Sequence, residues 1–147
     1  MSRSYNASRD ELWMAGVITF QAYTLVSANK DLGTLSTDLE FQYMNPGIDS
    51  LRGIASEYSQ YLYMSKLSFQ IENKTTPSST TVSISKSLEK YNQVTGAYEV
   101  VPSDGVEERA LLDEIGKNIS KARSCVISKK APLDCWRDSN EEAATTH

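Results

Sequence analysis

Histidine is almost missing from this 147-residue chain: the one copy is His147, the last residue. The side chain best suited to move protons near neutral pH is therefore unavailable to any interior site, which counts against an enzyme from the start. Cysteine is nearly as scarce. Cys125 and Cys135 are too few for a secreted disulfide framework, and their spacing matches no zinc signature, so reduced thiols are expected, with a local bridge as the alternative. The seven glycines stand singly, so no phosphate-cradling loop is present. Long hydrophobic runs are absent as well. The longest, Leu12–Ile18, follows Asp10 and Glu11, too short to span a bilayer and unlike a signal peptide. There is also no basic surplus: 15 Lys and Arg against 19 Asp and Glu give −4, unfavourable for a surface that coats nucleic acid throughout.

What the chain has is alternation. Leu35–Tyr43 sets Leu35, Thr37, Leu39, Phe41 and Tyr43 against Ser36, Asp38, Glu40 and Gln42, the period-two pattern of a half-buried strand. Tyr63–Glu72 repeats it, with Tyr63, Leu67, Phe69 and Ile71 opposite Lys66, Ser68, Gln70 and Glu72. Thr80–Leu88 alternates Val82, Ile84 and Leu88 with Thr81, Ser83, Ser85 and Ser87. Gly16–Val26 is rich in β-branched and aromatic residues on both faces, as in a doubly covered strand. Tyr98–Val101 and Ile119–Ile127 are further strand candidates. Two helices interrupt the strands. After Asp49-Ser50, a stripe of Leu51, Ile54, Ala55, Tyr58, Tyr61 and Leu62 is expected to plug the core, and Leu67 and Phe69 of the next strand join it. A second helix is expected from Asp104, with Glu107 three residues on, burying Leu111, Leu112 and Ile115 and stopping at Gly116.

These elements predict a mostly-β fold, an antiparallel β-sandwich with two short helices. One domain over residues 12–137 is expected between frayed tails at 1–11 and 138–147, neither of which shows apolar periodicity. Of the charged stretches, Lys117–Lys130 alone suits contact with RNA or another polyanion: it carries Lys117, Lys121, Arg123, Lys129 and Lys130 and no acid. Read as a strand, it would place Lys121 and Arg123 on one face. The plainer reading of the same charges is an edge strand guarded against aggregation. No catalytic constellation, metal cluster or cofactor motif emerges, and none is expected.

Asn45-Pro46-Gly47, then Ser50-Leu51-Arg52-Gly53-Ile54-Ala55-Ser56-Glu57-Tyr58-Ser59-Gln60-Tyr61, then Met64-Ser65-Lys66-Leu67-Ser68-Phe69-Gln70-Ile71 resembles a run in small RNA-virus coat proteins. The likeness is to the jelly-roll shell domain of the tombusvirus and sobemovirus type, and it extends over residues 16–88. It implies a jelly-roll-like sandwich, here shortened or rearranged, whose first four strands are Gly16–Val26, Leu35–Met44, Tyr63–Glu72 and Thr80–Leu88. The family's basic arm does not transfer, because Met1–Glu11 holds only Arg3 and Arg9 against Asp10 and Glu11. Its calcium-binding aspartate pair does not transfer either, since Ser87–Gln93 offers only Glu89.

The expected function is accordingly structural: a viral coat protein, not an enzyme, that self-assembles through sandwich edges and loops into a closed shell. It would sit in the virion or host cytoplasm, with other copies of itself as partner, viral RNA as a secondary partner and no membrane. The alternative is a non-catalytic β-sandwich module that recognises a protein or glycan through loops such as Asn73–Ser79 and Gln93–Gly96.

Overall fold

The computed structural model describes residues 1–44, 61–72 and 79–135. Their elements run β1 (Ser2–Tyr5), α1 (Arg9–Thr19), a 3-10 turn (Phe20–Ala22), β2 (Leu25–Asn29), β3 (Thr34–Thr37), β4 (Glu40–Met44), β5 (Tyr61–Ile71), β6 (Thr80–Asn92), β7 (Ala97–Val101) and α2 (Val106–Ile127). All seven strands join one antiparallel sheet, and among the described residues there is no second sheet. The antiparallel, strand-rich sheet agrees with the sequence, but the fold is mixed α/β and not mostly β: of the two observed helices only α2 starts where one was expected, and it is long. A sandwich does not form from the described residues; α1 and α2 cover one face of an open sheet instead.

The sheet is built on a long ribbon. β5 and β6 pair over nine residues, from Tyr63↔Lys90 to Ile71↔Val82. At the Ile71 end, β1 pairs with β6 and β3 with β5, and β2 adds to β3. At the other end, β4 pairs with the first half of β5 and β7 with the second half of β6. The helices pack over the first end, where Leu35, Leu67, Phe69, Ile71, Val82 and Ile84 are all buried beneath them. The four-stranded end, β4-β5-β6-β7, projects past them.

Gly16–Val26, expected as the first strand, is mostly helical. Ser8 accepts from the Glu11 N–H while the Glu11 carboxylate accepts from the Ser8 N–H, a complete capping box that starts α1. Leu12 through Thr19 are then buried all round, because α1 is held between the sheet and α2. A helix covered on every side shows no amphipathic stripe, and its β-branched content then resembles a strand. Gly16 permits the close approach: a Cβ there would lie 2.6 Å from the Phe69 ring. Ser2–Tyr5, expected to fray, is an edge strand fixed by the Tyr5 hydroxyl donating to the Leu112 carbonyl at 2.5 Å.

Ile119–Ile127 is likewise helix, not strand, and α2 is long. It runs 22 residues through Gly116, because Leu112, Ile115, Ile119, Ala122 and Cys125 continue the three- and four-residue spacing. Cys125 and Cys135 are joined in a disulfide, Cα–Cα 5.9 Å, which corrects the expectation of reduced thiols and ties α2 to a helical turn at 132–135. The helix expected after Asp49-Ser50, with Leu51, Ile54 and Tyr58, lies outside the described residues, as do the C-terminal stretch 138–147 and most of loop 73–79.

Candidate functional site

The alternation in Leu35–Tyr43 is real, yet its phase breaks in the middle. Leu35 opposes Phe69 and Ser36 opposes Ser68, whereas Phe41 opposes Met64 and Tyr43 opposes Leu62. Between β3 and β4 the register therefore slips by one residue. A one-residue slip exchanges the two faces of a strand. Leu35 and Thr37 face the helices and are buried, but Phe41 and Tyr43 turn to the opposite face. The Asp38 N–H donates to the Thr24 carbonyl at 2.8 Å and its carboxylate accepts from the Leu39 N–H at 2.8 Å. The Thr37 hydroxyl accepts from the Leu67 N–H at 2.9 Å, satisfying a donor that the break would otherwise leave unpaired.

The slip gathers apolar side chains on the face of the projecting end opposite the helices, which none of the other described elements covers. Cross-strand pairing sets Phe41 beside Met64, Tyr43 beside Leu62, and Tyr91 beside Tyr98, with ring centroids 5.3 Å apart in the last pair. Phe41, Tyr43 and Val100 are 57%, 67% and 82% exposed, high values for large apolar side chains. The same face at the helix-covered end is hydroxyl-bearing instead, with Ser2 bonded to Ser83 at 2.6 Å and Ser4 to Thr81 at 2.7 Å. On the other side of the projecting end, Lys90 lies 3.6 Å above the Tyr61 ring and Asn92 donates to Glu99 at 2.8 Å. A hollow of about 270 Å³ opens there toward Val94 at the β6–β7 hairpin tip.

The basic residues singled out from the sequence are not one surface. All are exposed, but Lys117, Lys121 and Arg123 sit on α2 and Lys129 and Lys130 beyond its end. Lys121 and Arg123, expected on one face of a strand, point to opposite sides of a helix, because two residues turn about 200°. Arg123 is engaged with the Glu11 carboxylate and the Asn6 carbonyl, holding α2 to the start of α1. Burial alone would push the Glu11 carboxyl up, but the Ser8 N–H, Arg123 and the Ser8 hydroxyl together hold it below the usual carboxylate value. Of the core residues named from the sequence, Leu67 and Phe69 are buried, and Tyr61 begins β5 under Lys90.

Sequence reasoning passed over a polar bridge between sheet and α2. The Tyr23 hydroxyl donates to Glu107 Oε1 at 2.8 Å, and Lys86 Nζ reaches Glu107 Oε2 at 2.8 Å. Burial, with the Glu107 carboxylate beside it, pushes the Tyr23 phenol well above its usual value. The Ser103 hydroxyl donates its one hydrogen to the carboxylate of buried Glu108, its oxygen lying 3.0 and 2.8 Å from Oε1 and Oε2. No local motif marks Tyr23, Lys86 and Glu107 as partners, since they lie far apart in the chain. Among the described residues no group of three or more His, Cys, Asp or Glu is placed to hold a metal ion, and no helix is long and apolar enough to cross a membrane.

No family model matches the chain, and no curated protein matches it by sequence. Among solved structures it is similar to a DUF4468 family protein from Bacteroides ovatus, at 8% identity and a TM-score of 0.40, over 92% of this chain and 84% of that one.

Proposed function

We propose that the chain is a non-catalytic interaction protein that self-associates by pairing β4 with β4 of a second copy. The observation that supports this most directly is the register slip that turns Phe41 and Tyr43 outward on a strand whose pairing, among the described residues, is with β5 alone. Exposed apolar edge strands are templates for strand addition, and proteins that avoid it place lysine, proline or a bulge there. Glu40–Met44 has none of these. β2, by contrast, carries a bulge between Leu25 and Ser27 and is followed by Lys30.

Antiparallel pairing about a two-fold axis at Gln42 puts Phe41 opposite the second copy's Tyr43, and Tyr43 opposite its Phe41. It sets no like charges against each other, since Glu40 falls opposite position 44. The equivalent full-length pairing of β7 would set Glu99 against itself, which is unfavourable. The expectation of self-assembly is thus kept as pairwise association through a sheet edge. The closed coat-protein shell and its RNA cargo rest on the sequence resemblance alone.

Sedimentation equilibrium tests the proposal, with a dimer expected at micromolar concentrations. Tyr43→Lys removes both symmetric aromatic pairs, so dissociation should rise about 2- to 30-fold, from about 0.2–1 kcal/mol per pair. A wild-type chain that stays monomeric to millimolar concentration, or a Tyr43→Lys dimer as tight as wild type, would overturn it.

A further inference from the structure

At the opposite end of the molecule, a cleft of about 350 Å³ opens between the start of α1 and the end of α2. Three lysines reach it from two places: Lys30 from the β2–β3 turn, and Lys129 and Lys130 from the chain just past α2. Trp13 and Met14 of α1 line it from within, each almost fully buried, and Asp10 stands at its border. An apolar surface beside converging cations is what a ligand with an acid group and a hydrocarbon body requires.

The backbone at Lys129 is unusual. Its φ is 55°, the left-handed conformation in which a helix commonly ends on glycine. Its N–H donates to the Val126 carbonyl at 3.2 Å, and that of Lys130 to the Cys125 carbonyl at 2.9 Å, so the helix closes there in the glycine manner without a glycine. A lysine side chain is thus held at this point at some cost in stability. The Cys125–Cys135 disulfide then fastens the wall formed by residues 129–132 to α2.

We propose that this cleft binds a small organic monoanion, its acid group among Lys30, Lys129 and Lys130 and its apolar part against Trp13 and Met14. Among the described lining residues the lysines outnumber the one carboxylate, Asp10, a positive balance modest for a polyanion and adequate for a monoanion. The competing account is that Lys129 and Lys130 serve only the negative end of α2.

The test uses the full chain carrying Trp136→Phe, so that Trp13 alone reports fluorescence, with octanoate, octylammonium and inorganic phosphate as probes. Octanoate should bind saturably, and about tenfold more tightly than either of the others. Replacing Lys30, Lys129 and Lys130 together by Gln should weaken octanoate about tenfold or more, whereas Lys117→Gln with Lys121→Gln on α2 should leave it within about twofold. Lys129→Gly separates the two accounts: it should raise thermal stability by relieving the backbone while still weakening octanoate. Equal binding of octanoate and octylammonium, no octanoate binding up to about 10 mM, or undiminished affinity in the triple variant or in Lys129→Gly would overturn the proposal.

Discussion

At the scale of single residues, Gly16 and Phe69 show how closely α1 lies on the sheet. Phe69 is 1% exposed and meets Phe20 edge-on at a centroid distance of 5.9 Å. Phe69→Ala should cost about 3–5 kcal/mol in urea unfolding, as a cavity opened under the helix. Gly16→Ala should cost about 1–3 kcal/mol, because the buried ring has nowhere to retreat. Tyr23 makes a pH prediction. Its phenol titrates higher in the folded chain than in the unfolded one, so its contribution is complete below about pH 10 and is lost as pH rises through the folded value. The fall in stability between about pH 9 and about pH 11 should be smaller in Tyr23→Phe than in wild type, as denaturant midpoints at the two pH values would show. Phe69 was legible as a core residue from alternation alone. The roles of Tyr23 and Glu107 were not, because a hydrogen bond between residues 84 apart leaves no local pattern.

Among the elements, strands facing core on one side and water on the other were readable. β5 and the first part of β6 lie where period-two alternation placed them, since one-sided burial writes that period into the sequence, and β7 covers the short candidate Tyr98–Val101. The helices were harder. α1 is covered on all sides and shows no stripe, although Ser8-Arg9-Asp10-Glu11 carried the capping signal that could have identified it. α2 passes through Gly116 because its buried spacing continues on either side of it, which outweighs a glycine's roughly 1 kcal/mol preference against helix. The disulfide belongs to this scale, since it joins the last turn of α2 to the turn at 132–135. Reduction should lower stability by about 2–3 kcal/mol through loop-closure entropy, measured as urea midpoints with and without reductant. The circular-dichroism helix signal in the absence of urea should be retained.

At the scale of the whole molecule, the consequence of the fold is asymmetry: among the described residues, helices lie over one end of the sheet and none lies over the other. If β4 pairs with β4 of a second copy, the melting temperature should rise with protein concentration in wild type and hardly at all in Tyr43→Lys. By itself the sequence determined the strand-rich composition, the phases of β5 and β6 and hence their share of the core, because each depends on neighbours two residues apart. Only the tertiary structure decided that Gly16–Thr19 is helical, that Cys125 meets Cys135, and that the β3–β4 junction slips by one residue. These outcomes depend on contacts between distant segments: α2 covering α1, the helical turn returning to α2, and β5 offering both strands one continuous ladder. The exposed face at Phe41 and Tyr43 follows from the last of these, since the same alternating residues without the slip would point toward the helices.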